Sequence, residues 1–173
     1  MVDPKLDELY AKHAITEVLY LYVRGWDRFD AESLRACFHE DAHNVHGGSS
    51  RLAQDFITKG MQAMSDVKSM SHMITNPLIE IRGERAVSEC SFFAHHRRMA
   101  ADGSGEEDMF LKGRYLDIFE KRSGVWKIGT RRRLHDFERV VPSEDQTLAK
   151  VSVNQLSDRI PNDPLYSLLK NLV

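Results

Sequence analysis

The hydrophobic pattern of this chain changes period once, and that change limits what it can fold into. Up to about residue 65 apolar residues recur at helical spacing, and from Ser69 onward they alternate over long stretches. In the first segment Leu6, Leu9, Tyr10, Ile15, Val18, Leu19, Tyr22 and Trp26 recur at spacings of three, four and five, as in a helix. Asp3 is placed to cap this helix, Pro4 to occupy its first position, and Gly25 to loosen its end. A second, short helix is expected after Asp30, running through Leu34 and Phe38. Ala42 to Gly48 reads as a short strand. A third helix over about Leu52 to Ser65 puts Phe56, Ile57, Met61 and Met64 on one stripe.

Four long strands then follow: Ser69–Ile81, Arg85–Ala100, Met109–Lys121 and Val125–Val140. Turns at Arg82-Gly83-Glu84, Ala101–Gly105 and Ser123-Gly124 separate them. Helices followed by a run of antiparallel strands imply an α+β architecture. Three helices on a long curled sheet form a cone whose mouth leaves a pocket, lined by alternate strand residues.

A length of 173 residues suits one domain. Residues 1–140 form the expected body. Residues 141–173, with Pro142, Pro161 and Pro164, read as an extended arm with a short helix at Leu165 to Leu172, either part of the same domain or an oligomer contact. Lys plus Arg number 24 against 26 Asp plus Glu, a net charge of −2, which argues against a dedicated nucleic-acid binder. Two cysteines, Cys37 and Cys90, are too few for a disulfide framework, and no CxxC pair offers a zinc or redox site. The opening residues carry acids where a signal peptide needs basic and apolar ones, and no apolar run approaches the roughly 20 residues of a membrane span. A cytoplasmic protein, not bound to membrane, is the expectation.

Tyr22 and Asp27 end the first helix, and His72 opens the first long strand. A carboxylate can orient an imidazole and stabilise its charged form, so that the ring takes a proton near neutral pH. Each residue also has a structural reading: a helix-end carboxylate, a core tyrosine, one of eight histidines. Asn44 and His46 share one face of the short strand, polar where a structural strand would be apolar. His39, His43 and His46 mimic a metal-binding helix face, but on a strand His43 and His46 point apart, so no metal site is expected. Cys90, Phe92, Ala94 and His96 form one strand face that reads as a pocket wall. Gly113, beside Tyr115, would leave room for a ligand. Of Arg131, Arg132 and Arg133, one of the odd-numbered pair could hold an anionic oxygen. Trp26, Phe92, Phe93, Tyr115 and Met73 are candidates for an apolar wall.

Several of these stretches resemble the SnoaL-like branch of the NTF2-like superfamily over about residues 5 to 140. They are His13-Ala14-Ile15 through Tyr22 and Asp27, Phe38-x-x-Asp41-Ala42, Ser71-His72 with Thr75-Asn76, Gly113-Arg114-Tyr115-x-Asp117 and Gly124-x-Trp126-Lys127-Ile128. Asp163-Pro164-x-Tyr166 is similar to tails of that branch. Members such as γ-hexachlorocyclohexane dehydrochlorinase, scytalone dehydratase and bile-acid 7α-dehydratase use an Asp–His pair, without metal or organic cofactor, to remove a proton and expel a leaving group. The resemblance implies Asp27 and His72 as that pair and Tyr22 as a carbonyl-polarising tyrosine. It puts Arg131 near a pocket arginine. Tyr22 stands where the dehydrochlorinase has lysine, and Asn44 or His46 where scytalone dehydratase has tyrosine, so substrate and leaving group stay open.

The resemblance therefore implies a cofactor-independent lyase acting on a hydrophobic, ring-containing, aromatic small molecule, as lignin-dimer γ-formaldehyde lyases of the superfamily also do. Its catalytic residues would be His72, Asp27 and Tyr22. Asn44, His46, Phe92, His96, Tyr115, Arg131 and Trp26 would bind substrate. The alternatives are an isomerase or polyketide-cyclase-type enzyme on the same pocket, and a non-catalytic binding subunit. A homo-oligomer, trimer or dimer, is expected.

Overall fold

The computed structural model describes residues 3–172; residues 1, 2 and 173, at the ends of the two segments expected above, lie outside it. Helix α1 spans Pro4–Asp27 and α2 Ala31–Ala36. Strands β1 (Phe38–His46) and β2 (Ser49–Leu52) lead into α3 (Ala53–Ala63). Four long strands follow: β3 (Ser69–Arg82), β4 (Arg85–Met99), β5 (Glu106–Arg122) and β6 (Val125–Pro142). Two 3-10 turns precede α4, Pro164–Lys170. The six strands form one sheet in the order β2-β1-β6-β5-β4-β3. Every pairing is antiparallel except β1 with β6.

Local signals account for the helix starts. Asp3 accepts the Lys5 N–H at 2.9 Å, with Pro4 at the first position. Asp30 accepts both the backbone N–H and the hydroxyl of Ser33. The core lies where the helical stripe meets the concave sheet face. Ile15, Leu19, Tyr22 and Trp26 of α1 and Ile57 of α3 are buried against Phe92, Leu111, Tyr115, Phe119 and Ile128.

Three local expectations need correction. Phe38 opens β1 instead of closing α2, because β6 captures the chain there: Phe38 pairs with Ile128, whose N–H donates to the Cys37 carbonyl at 2.9 Å. Strand β2 has no apolar alternation to announce it, since all four of its residues are exposed. It returns through Gly47-Gly48, both at positive φ, as a tight hairpin requires. Gly25 does not loosen α1, which runs unbroken to Asp27; a Cβ there would stand 2.7 Å from Leu34 Cγ, so the glycine lets α2 pack against α1.

The segment after β6 returns to its own chain. Arg159 donates to the carbonyls of Met64, Ser65 and Val67 and stacks on Phe29, while Tyr166 donates to Asp30 at 3.1 Å. Among the described residues no helix is long and apolar enough to cross a membrane.

Candidate active site

A cavity of about 190 Å³ opens between α1, α3 and the concave sheet. Tyr22 and Trp26 enter from α1, Phe56 and Gly60 from α3, and Met64 from the loop that follows it. The sheet supplies Asn44 and His46 (β1), Met70 and His72 (β3), His96 (β4), Tyr115 (β5), and Arg131 and Arg133 (β6). These strand positions obey the alternation of the pleat, as do Asn44 with His46, Met70 with His72, and Arg131 with Arg133. Gly60 belongs to the same construction, because a Cβ there would stand 2.5 Å from the Trp26 ring.

Asp27 does not line this cavity. It stands behind His72, with a second cavity of about 210 Å³ on its other side, under residues 157–159. Tyr22 and Asp27 are five positions apart on an intact helix, a rotation of about 140°. Tyr22 therefore faces the cavity while Asp27 leaves the helix toward β3. Its Oδ1 accepts from His72 Nδ1 at 2.7 Å and its Oδ2 from the His72 backbone N–H at 2.9 Å. With Nδ1 so engaged, Nε2 is the ring nitrogen left for a ligand. The His96 ring lies 5.3 Å from that of His72, centre to centre.

The charges are arranged in pairs and layers. Arg131 is almost fully buried and binds Asp117 through Nε and Nη2, both at 2.7 Å. Its guanidinium lies over the rings of both Tyr22 and Tyr115, 3.8 and 4.4 Å from their centres. Burial opposes the charge of Arg131, but the Asp117 carboxylate outweighs it and raises the pKa. Burial pushes the Tyr115 hydroxyl up, and it lifts the thiols of Cys37 and Cys90 to about 12 and about 11. Neither cysteine is a thiolate nucleophile at neutral pH. Arg133 Nη2 donates to His46 Nε2 at 2.7 Å. Burial first, then the Arg133 charge, lowers His46 to about 4. Burial, then the neighbouring His72, lowers His96 to about 3.

Buried polar atoms without partners are uncommon in folded proteins. Six occur among the described residues, and five of them belong to four residues of this cavity. They are Asn44 Oδ1, both ring nitrogens of His96, Arg131 Nη1 and Arg133 Nε. That concentration sets this cavity apart from the rest of the described core.

The chain belongs to the SnoaL-like family. The family model for the SnoaL-like domain matches residues 7–132, well over half of the sequence. This SnoaL-like protein has the α+β, NTF2-like (cystatin-like) cone. Among solved structures it is similar to a type 2 hexachlorocyclohexane dehydrochlorinase, at 16% identity and TM-score 0.71, covering 80% of this chain and 94% of that one. It is also similar to a candidate scytalone dehydratase from Novosphingobium aromaticivorans, at 22% identity and TM-score 0.68, covering 79% and 91%. A protein of unknown function from Mycobacterium tuberculosis matches at 20% identity and TM-score 0.64 over 97% of this chain and 89% of that one, a span that takes in the tail. At these identities the likeness is one of fold. No curated protein matches the sequence significantly.

Of the residues singled out from the sequence of this SnoaL-like chain, Tyr22, Trp26, Asn44, His46, His72, His96, Tyr115 and Arg131 line the cavity, and Asp27 backs His72. Phe92 does not line it: its ring stacks beneath Tyr115 at 4.6 Å, so it supports the wall without forming it. Phe93 and Met73 point to the other sheet face, where they are exposed. Gly113 answers to the backbone and not to a ligand, since a Cβ there would stand 2.0 Å from the Leu134 carbonyl at a bulge between β5 and β6. Both Arg131 and Arg133 face inward, where only one was expected. His39, His43 and His46 bond separately to the Glu120 carbonyl, Ser50 and Arg133. Met70 was missed, although it shares a strand face with His72 two positions on.

Proposed function

We propose that this SnoaL-like protein is a cofactor-independent lyase acting on a ring-containing, aromatic small molecule. The observation that carries the reading is the two-point grip of Asp27 on His72, which leaves Nε2 as the one imidazole nitrogen free to act. In this reading His72 Nε2 takes a proton, and Asp27 orients the ring and stabilises the imidazolium. For loss of halide the proton comes from carbon, the C–H electron pair forms the new double bond, and the halide departs with its own bonding pair. For loss of water the departing hydroxide also takes back the proton held on His72 Nε2. For loss of formaldehyde the proton comes from a hydroxymethyl oxygen, whose electron pair forms the carbonyl of formaldehyde. The pair of the broken carbon–carbon bond forms a new double bond as a leaving group on the next carbon departs with its own pair.

Tyr22, His96 and Arg131 Nη1 serve a substrate oxygen on which charge develops, and Asn44 Oδ1 accepts from a substrate hydroxyl. The unpaired state of the His96 ring, of Arg131 Nη1 and of Asn44 Oδ1 supports these roles. Trp26, Phe56, Met64 and Met70 supply the apolar wall. The volume is small beside the roughly 300–1,000 Å³ of sites for drug-sized ligands, which favours a compact substrate. The dehydrochlorinase and the candidate dehydratase that share the fold carry names of elimination reactions. The tail, bound to the α1–α2 and α3–β3 loops, is taken as part of the same unit.

The test is a mass-spectrometric screen of ring-bearing alcohols, halides and hydroxymethyl compounds. A product lighter by the leaving group supports the lyase. A product of unchanged mass would replace it with an isomerase on the same pocket.

A further inference from the structure

Two arginines reach the cavity from β6, and only one of them has a counter-ion. Arg131 is matched by Asp117. Arg133 has no carboxylate within ion-pair distance among the described residues, and its hydrogen-bond partner is the uncharged His46. Its Nε is buried without a partner.

The remaining wall does not balance this charge. No Asp or Glu lines the cavity, because Asp27 stands behind His72 and Asp117 is spent on Arg131. His46 and His96 are neutral at pH 7, held so chiefly by burial. The cavity therefore carries one uncompensated positive charge. Filling it with a purely apolar ligand would strip water from that guanidinium and offer nothing in exchange, which is costly. A ligand that brings a carboxylate removes the cost and adds a charge-assisted hydrogen bond.

We propose that the substrate is an organic acid, a ring-bearing carboxylate that docks its carboxylate on Arg133. The anion preference stands on the cavity alone. The orientation that follows, with the reacting carbon toward His72, rests on the lyase reading. Arg133 and His72 lie on strands separated by β5 and β4, three spacings of ~4.8 Å, and are also offset along the strands, since the register sets His72 in line with Ala94, Leu111 and Glu138. Side chains reach inward from both ends, and a rigid ring suits the span between them.

Isothermal titration with benzoate, 4-hydroxybenzoate and 2-naphthoate, each against its neutral amide, tests this without any turnover. The acids are expected to bind at least about tenfold more tightly than the amides. Arg133→Gln should abolish that difference and Arg133→Lys should keep part of it. Arg132→Gln, at an exposed position facing away, should leave it intact, as should His72→Ala. The last variant separates this proposal from the lyase reading, since losing the base does not touch the anion site. Amides binding as tightly as acids, acids not binding at all, or discrimination surviving in a folded Arg133→Gln protein would each overturn the proposal. The wild-type comparison decides even if Arg133→Gln does not fold.

Discussion

Asp27 meets His72 with both carboxylate oxygens, so one side chain fixes the imidazole and the strand that carries it. Asp27→Asn keeps the shape and breaks the logic. An amide nitrogen facing Nδ1 would turn the ring into the tautomer whose Nε2 carries hydrogen and cannot accept a proton. We expect kcat/KM to fall by about 10²–10⁴, with a stability loss of about 1–3 kcal/mol. Steady-state kinetics with a substrate found in the screen, beside urea titration, checks both, and unchanged kcat/KM would contradict the role of Asp27.

The two depressed histidines make stability depend on pH. In the unfolded chain a histidine titrates near 6.5, whereas in the folded protein His46 titrates at about 4 and His96 at about 3. Between those values the unfolded chain binds protons that the folded one refuses. The stabilisation is complete above pH 6.5 and drains away as pH falls toward 4. The slope from His96 approaches about 1.4 kcal/mol per pH unit, and the more exposed His46 adds less. Urea unfolding at pH 7, 6 and 5 should show the decline, and His96→Gln should flatten it. An equal slope in that variant would contradict the assignment.

Arg131 and Asp117 form a buried pair whose halves depend on each other. Asp117→Asn leaves a guanidinium under two tyrosine rings without its counter-charge, and should cost about 3–5 kcal/mol, a fall in Tm of roughly 10 °C. The double change Arg131→Met with Asp117→Leu should cost less than the sum of the single changes. A thermal melt of Asp117→Asn that matches wild type would show that the pair carries no such coupling.

The fold was legible because its long elements have strong periods. The α1 stripe and the alternation of β3 to β6 follow directly from apolar spacing, and Asp3 and Asp30 announce their helices. What was not legible depends on contacts between distant segments. Phe38 joins a strand because Ile128 is there to pair with it. Gly113 is glycine because the Leu134 carbonyl crowds it. Strand alternation correctly grouped Cys90, Phe92, Ala94 and His96, yet only His96 reaches the cavity, because packing and not alternation decides how deep the core fills. The approach of Asp27 to His72 joins residues 45 positions apart and needed the folded chain to be seen. From the sequence Arg131 and Arg133 are alternatives, and that both face inward follows from two positions on a strand sharing a face.

His72→Ala tests the central claim most directly. The variant should fold, by circular dichroism, and should still bind substrate, while turnover falls by about 10³-fold or more, on the scale of a lost general base. Turnover retained near the wild-type rate in a folded His72→Ala protein would contradict the account.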